Sequence, residues 1–318
     1  MAHMAQTNAL PMQSDLAVRV AAILGSVRAF VALLGFLLSA VLFIATQGVS
    51  VALRTPWTRA YPHAYMRFLA WLLGIRIDVR GEMVRGGPVL IAANHVSYLD
   101  IVVLEALGEV AFIAKNEVGA WPLFGVGAKV MRTIFVDRTR RHRAMNDRDQ
   151  IQDRLRKGDA LVLFPEGTSS DGNRVLPFKS SLLSVAEIDL SDREAKTGRP
   201  YRVRVQPVSL AYTTLHGMPM GRRYRPYYAW YGDMDLFGHL WGGLKAGPIT
   251  VVVHFHPPVT VEQLGNRKAL TRHCEEVVRA GVIHALSGLD GLPAPVFGGA
   301  AGVGVREPRE KPAAAHPR

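Results

Sequence analysis

The chain has 318 residues, with 38 Lys and Arg against 26 Asp and Glu, a formal charge of +12 with histidine neutral. Hydrophobic residues make up 49% and charged residues 20%, which excludes global disorder and leaves enough chain for one large domain or two small ones. A single cysteine, Cys274, excludes an intramolecular disulfide and a cysteine-rich zinc site, while the excess of base points to an acidic partner: anionic lipid, nucleic acid or an acidic carrier.

Residues 1–15 are polar and aperiodic and are expected to form a flexible tail. From Ala29 to Leu53 no charged residue occurs, and a helix of roughly 20 apolar residues is enough to cross a bilayer core. Arg19 and Arg28 precede this run and Arg54, Arg59 and Arg67 follow it. Base on both flanks gives no positive-inside asymmetry and fits a helix dipping into one leaflet at least as well as one that spans. The stretch Tyr65–Ile75, YMRFLAWLLGI, has the amphipathic character of an interfacial segment. A signal peptide or a buried core helix would share part of this pattern, but the run lacks a small-residue cleavage site and is longer than an h-region. Residues 16–80 are therefore expected to be membrane-associated helices.

Beyond Gly81 the pattern changes. Apolar, strand-like runs occur at Val89–Ala93, Thr133–Val136, Ala160–Phe164, Arg202–Ala211 and Ile249–Phe255, with helix-length segments such as Ile101–Leu107 and Arg143–Arg156 between them. This alternation predicts an α/β fold over residues 81–286, a mixed, largely parallel sheet flanked by helices. Residues 287–318, rich in Gly, Pro and Ala, are expected to be disordered.

The segment Pro88–Leu107, PVLIAANHVSYLDIVVLEAL, runs from a buried strand into His95 and then a helix. Catalytic groups of open α/β sheets collect at the carboxyl ends of strands. An imidazole suits general base catalysis near neutral pH, and Asp100, five residues on across the turn, can accept its second N–H. Ser97-x-x-Asp100 equally matches a helix capping box. Arg138 ends the strand RTIFVDR, where a guanidinium suits phosphate or carboxylate, although it also opens the solvated basic run RTRRHR. In ALVLFPEGTSS, Gly167 allows close backbone approach, Thr168 supplies a hydroxyl, and Glu166 can accept from a substrate hydroxyl; an ordinary strand-to-helix turn would look similar. Lys179, in the following Pro-Phe-Lys, adds a cation.

NHVSYLD together with FPEGTSS resembles the glycerolipid acyltransferase family, the 1-acylglycerol-3-phosphate acyltransferases. The family's four blocks can be placed in order, as NHVSYLD, RTIFVDR, FPEGTSS and VQPVS, with KNEVGAWPLFG similar between the first two. The second departs from the family pattern, because Arg132 stands where glycine is common. The resemblance implies that His95 deprotonates the hydroxyl of a lysolipid, which attacks an acyl thioester, with Asp100 orienting the imidazole. It implies that Arg138, Glu166, Gly167 and Thr168 hold the acceptor head group, with Lys179 assisting. No acyl-enzyme is required, in keeping with the lack of a Gly-x-Ser-x-Gly elbow. The donor is expected to be acyl-CoA or acyl carrier protein, and the acceptor 1-acylglycerol-3-phosphate, giving phosphatidic acid. FPEGTSSDGNRVLPFKSSL, with AWYGDMDLFGHLW and NRKAL, is also similar to a bacterial branch that includes lyso-ornithine lipid acyltransferases, whose acceptor carries an amino-acid head group. The altered second block fits that alternative.

The expected setting is the cytoplasmic face of a bacterial inner membrane, with the anionic surface as partner. A basic membrane- or RNA-binding protein is the non-enzymatic alternative, since RTRRHR and RRYRPYY interleave cations with aromatics. No RNA-binding motif accompanies them and an apolar N-terminus has no use there, so no nucleic-acid partner is expected. His254 and His256 lie on one face of a strand, but with no carboxylate or cysteine nearby they are assigned a structural role and no metal is expected. A Walker-type loop is absent and no cofactor is expected. Cys274, in a helical pattern, is assigned to packing.

Overall fold

The computed structural model describes residues 13–121, 124–136, 141–188, 190 and 201–288. Arg138, most of the expected N-terminal tail and residues 289–318 lie outside these.

Helix α1, Gln13–Ala52, takes in the uncharged run and begins inside the expected tail. One side of it is fastened to the protein. Phe43 stacks on Tyr65 of α2, Ala60–Leu72, with ring centroids 4.1 Å apart. Gly35 lets Leu72 approach to where a Cβ would meet it at 3.2 Å. The other side is left apolar and open, with Leu38 66% and Leu42 64% exposed. Among the described residues this is the one helix long and apolar enough to cross a membrane.

The sheet is built from β1 (Ile75–Arg80), β2 (Val89–Ala93), β3 (Val110–Lys115), β4 (Ile134–Val136), β5 (Ala160–Leu163), β6 (Arg204–Leu215), β7 (Met218–Pro219) and β8 (Ile249–Phe255). Their order is β1-β8-β6-β2-β5-β3-β4, with β7 hairpinned onto β6. All pairs are parallel except β6 with β7 and with β8, so the sheet is mixed and largely parallel, as the sequence pattern implies. Helices α3 (Leu99–Glu105), α4 (Phe124–Val130), α5 (Arg141–Arg156), α6 (Leu236–Ala246) and α7 (Arg267–Leu286) complete the fold.

Strand β2 shows why the runs are continuously apolar. Val89, Ile91 and Ala93 pack into the layer containing α2 and α3, while Leu90 and Ala92 pack into the layer with α5 and α7. Both faces are covered, as parallel strands require. Three strands escape the sequence reading, the two-residue β7 among them. β1 pairs with β8 at the sheet's edge and moves residues 75–80 from the expected membrane region into the sheet. Its alternation IRIDVR was the available signal. β3 is disguised by Ala111 and Ala114, which favour helix, and its burial between β5 and β4 overrides that preference.

Cys274 is fully buried on α7, and burial pushes its thiol up to about 12, so it packs and does not react. His256, pushed down to about 3 by burial and then by His254, is a neutral ring hydrogen-bonded to Ser209 Oγ at 2.7 Å.

Gly81 ends β1 with φ +67°, and a Cβ there would lie 2.1 Å from the Phe255 carbonyl oxygen. Gly81→Ala combines left-handed strain with backbone overlap and is expected to cost about 3 kcal/mol. A lowered denaturation midpoint at unchanged m-value checks this; an unchanged midpoint contradicts it.

Candidate active site

The register of the central strands brings the two main motifs to one edge. Ala92 of β2 lies beside Leu163 of β5, so the chains emerging from these strands, through His95 and through Phe164–Ser170, leave the sheet side by side. Main-chain bonds then lock them together. Ser170 N–H donates to His95 O at 2.9 Å, and His95 N–H donates to Glu166 Oε1 at 3.0 Å. On the other flank Asn94 exchanges two bonds with the main chain of Leu210 in β6, at 2.7 and 2.9 Å.

His95 Nδ1 lies 2.8 Å from Asp100 Oδ2. A carboxylate oxygen can only accept, so Nδ1 carries the proton and Nε2 keeps its lone pair as a base. The imidazole is flanked by Phe164, stacked with centroids 4.1 Å apart, and remains 23% exposed. Asp100 is wholly buried. Oδ2 also accepts from Val96 N–H at 2.7 Å and Ser97 N–H at 3.0 Å, and Oδ1 accepts from the Tyr212 hydroxyl at 2.7 Å. Burial and the neighbouring Asp100 raise Tyr212 well above its usual value, so it stays a donor. Four donors make this an environment for a buried negative charge. The capping-box reading is also partly met, since Asp100 reaches back to Ser97 N–H; one carboxylate serves the helix start and the histidine together.

Glu166 is 1% exposed, and both its oxygens are occupied by main-chain donors, Oε1 by His95 N–H and Oε2 by Leu176 N–H at 3.2 Å. Burial pushes it up to about 8 against the pull of those two bonds. These two bonds tie it to the main chain of the loop that carries His95 and to that of Leu176. Gly167 has φ +74° and closes the turn through its N–H to Phe164 O at 3.1 Å, a conformation that favours glycine. Thr168 and Lys179 are exposed on the same loop system, Lys179 held through its N–H to Pro165 O at 2.8 Å. Phe178 N–H is anchored to Glu275 of α7 at 2.9 Å.

Arg132 is not part of this site. It precedes β4, with its guanidinium 3.5 Å from Asp159 at the start of β5. Five or six residues of strand, roughly 20 Å, separate that end of the sheet from His95. The altered second block therefore says nothing about the acceptor head group.

Tyr212, the stacking role of Phe164 and the anchor Glu275 were not found from sequence. A buried tyrosine needs a partner for its hydroxyl, but nothing in VSLAYTT names Asp100 as that partner. Trp230 is a further addition. Its main-chain N–H donates to Val96 O at 2.9 Å and its main-chain carbonyl accepts from Ser169 Oγ, which seats it on both motifs. Trp121 meets it edge-on at 5.4 Å. Tyr98 and Trp121 stand at an apolar cavity of about 180 Å³ that runs between α1, α2, β3, α4 and α6. Among the described residues, no three His, Cys, Asp or Glu side chains converge as a metal set requires.

Comparison with known proteins agrees with this geometry. The acyltransferase family model matches residues 76–210. The chain is 45% identical over 265 residues to the lyso-ornithine lipid O-acyltransferase of Brucella abortus, covering 83% of this chain and 97% of that protein. It is 40% identical to the lyso-ornithine lipid O-acyltransferase of Rhizobium meliloti, covering 74% and 81%. It is 32% identical to the 1-acyl-sn-glycerol-3-phosphate acyltransferase of Neisseria gonorrhoeae, covering 65% and 76%. The fold is shared with the crystal structure of the 1-acyl-sn-glycerophosphate acyltransferase of Thermotoga maritima, at TM-score 0.56 and 24% identity over 82% of this chain and 97% of that one. With His95, its hydrogen-bonded carboxylate Asp100 and the Pro-Glu-Gly loop joined at one sheet edge, and with a relative 45% identical over 97% of its own length, the chain belongs to the acyltransferase family and is an enzyme of that class.

Proposed function

We propose that the protein transfers a fatty acyl group from a thioester, acyl-CoA or acyl carrier protein, to the free hydroxyl of lyso-ornithine lipid. This replaces 1-acylglycerol-3-phosphate as the leading acceptor. The carrying observation is the 45% identity to a lyso-ornithine lipid O-acyltransferase over nearly all of that protein's length. The position of Trp230 supports it: the segment AWYGDMDLFGHLW, whose likeness is to that branch, sits against the His95 and Ser169 loops.

In the proposed reaction, His95 Nε2 takes the hydroxyl proton as the acceptor oxygen bonds to the thioester carbonyl carbon. The imidazolium is stabilised by Asp100, and collapse of the tetrahedral species breaks the carbon–sulfur bond. The proton then passes to the departing thiolate. The apolar cavity beside Tyr98 suits an acyl chain, Thr168 and Lys179 are assigned to the acceptor head group, as Arg138 is by motif resemblance alone, and Glu166 holds the His95 main chain. The open apolar side of α1 supports residence at a membrane, and the proposed setting is the cytoplasmic face of a bacterial inner membrane. Purified protein supplied with each lysolipid and each thioester donor tests the acceptor. Product from lyso-ornithine lipid in preference to lysophosphatidate is expected; the reverse preference overturns the reading.

A further inference from the structure

A second cavity, polar and of about 380 Å³, opens at the opposite end of the sheet, among the first residues of β2, β3 and β5. Arg59, Arg85, Arg132 and Arg154 line it, against the carboxylates of Asp159 and Glu109. Asp159 is shared by three guanidinium groups: Arg59 at 2.7 Å, Arg132 at 3.5 Å and Arg154 at closer range. One carboxylate cannot neutralise three cations, so positive charge is left in a half-enclosed space. Mutual repulsion with Arg154 and Arg59, after burial, lowers the Arg132 guanidinium from its usual value.

A buried, unpartnered carboxyl group beside the arginines marks this as more than a structural ion-pair network. Arg132 has φ +64°, a left-handed conformation that glycine adopts freely and arginine only at a cost, and Arg154 Nη1 holds its carbonyl at 2.9 Å. This turn closes α4, with Arg132 N–H donating to Lys129 O and Thr133 N–H to Ala128 O at 3.0 Å each, and it carries the guanidinium into the cavity wall. In the same wall stands Glu105, 2% exposed, whose Oε2 has no hydrogen-bond partner. Burial, with Glu109 adding to it, raises Glu105 well above its usual value and favours the protonated form, whose O–H is a donor. Several guanidinium groups and one acid O–H match the oxygens of a phosphate.

We propose that this cavity binds a phosphate group, carried by an anionic phospholipid or by a soluble phosphate, separately from the acyl-transfer site. The surroundings favour the lipid source. Trp57, next in sequence to the lining residues Thr58 and Arg59, and Leu53, which follows α1, are each 70% exposed. Neither the acceptor's identity nor the catalytic geometry enters this inference.

The test uses the full chain in phosphate-free detergent, with Arg132→Gly and Arg59→Gln as variants and Lys268→Gln as a control that removes the same charge from a distant exposed position. Arg132→Gly relieves the left-handed strain, so a folded protein is expected, checked by its thermal midpoint. Calorimetry with inorganic phosphate and flotation with phosphatidylcholine vesicles, with and without phosphatidic acid, supply the two arms. Loss of one charged hydrogen-bond donor is expected to weaken binding about ten-fold or more in both cavity variants and not in the control. A loss confined to the calorimetric arm identifies a soluble phosphate; a loss in flotation identifies the lipid. Acyl transfer by Arg132→Gly at saturating substrate is expected to match wild type. If the cavity variants behave as the control does in both arms, the proposal fails and the arginines serve the ion-pair network alone.

Discussion

Replacing His95 by alanine is expected to lower acyl-transfer turnover about a thousand-fold, the range general bases supply, while leaving a folded, detergent-extractable protein. The site explains why the fold survives. Among the described residues the imidazole hydrogen-bonds Asp100 Oδ2, and when it is gone that oxygen keeps Val96 N–H and Ser97 N–H while Oδ1 keeps the Tyr212 hydroxyl. No buried charge is orphaned, and the cost in stability is on the order of 1 kcal/mol plus the contact with Phe164. The base acts only as the hydroxyl proton moves, so kcat falls while KM for the acceptor stays nearly constant. Steady-state kinetics with a lysolipid acceptor check this. Turnover within a few-fold of wild type would remove His95 from the chemistry.

Asp100→Asn is expected to lower kcat by about a hundred-fold to a thousand-fold, less than a lost tautomer causes in serine hydrolases. The difference comes from the local donors. Two main-chain N–H groups converge on the Oδ2 position, so the amide carbonyl is driven there and the NH₂ is turned towards Tyr212. His95 Nδ1 still finds an acceptor, and the productive tautomer persists. What is lost is the negative charge that stabilises the imidazolium, together with the partner of the Tyr212 proton. The companion variant Asp100→Leu abolishes both effects and is expected to fall well below Asn, because Val96 and Ser97 N–H are then buried without acceptors. Equal activity of the two variants contradicts this account.

His95, Asp100 and the Pro-Glu-Gly loop were legible before any coordinates because each lies within a few residues of a strand end, where sequence distance and spatial distance coincide. The strands Val89–Ala93 and Ile249–Phe255 were legible for a similar reason: they are buried on both faces, and their composition says so directly. Glu166 was assigned a substrate contact on its residue type alone, and nothing local in the sequence shows that its two oxygens meet His95 N–H and Leu176 N–H. Arg132 was misleading in the opposite way. Its place in a motif suggested a link to the acceptor, yet the direction of β4 carries it to the far end of the sheet.

From its residues alone this chain declares an apolar helix followed by an alternating sheet protein, with a histidine and an aspartate five positions apart at a strand end. These are short-range facts, governed by side-chain periodicity and by what a turn can bring together. The sheet order decided the rest. Placing β6 beside β2 sets the Tyr212 hydroxyl against Asp100, and placing β5 on its other side stacks Phe164 on the imidazole. Those contacts join residues as many as 112 positions apart. Burial and strand register select such pairs, and both are properties of the packed molecule that no window of sequence contains.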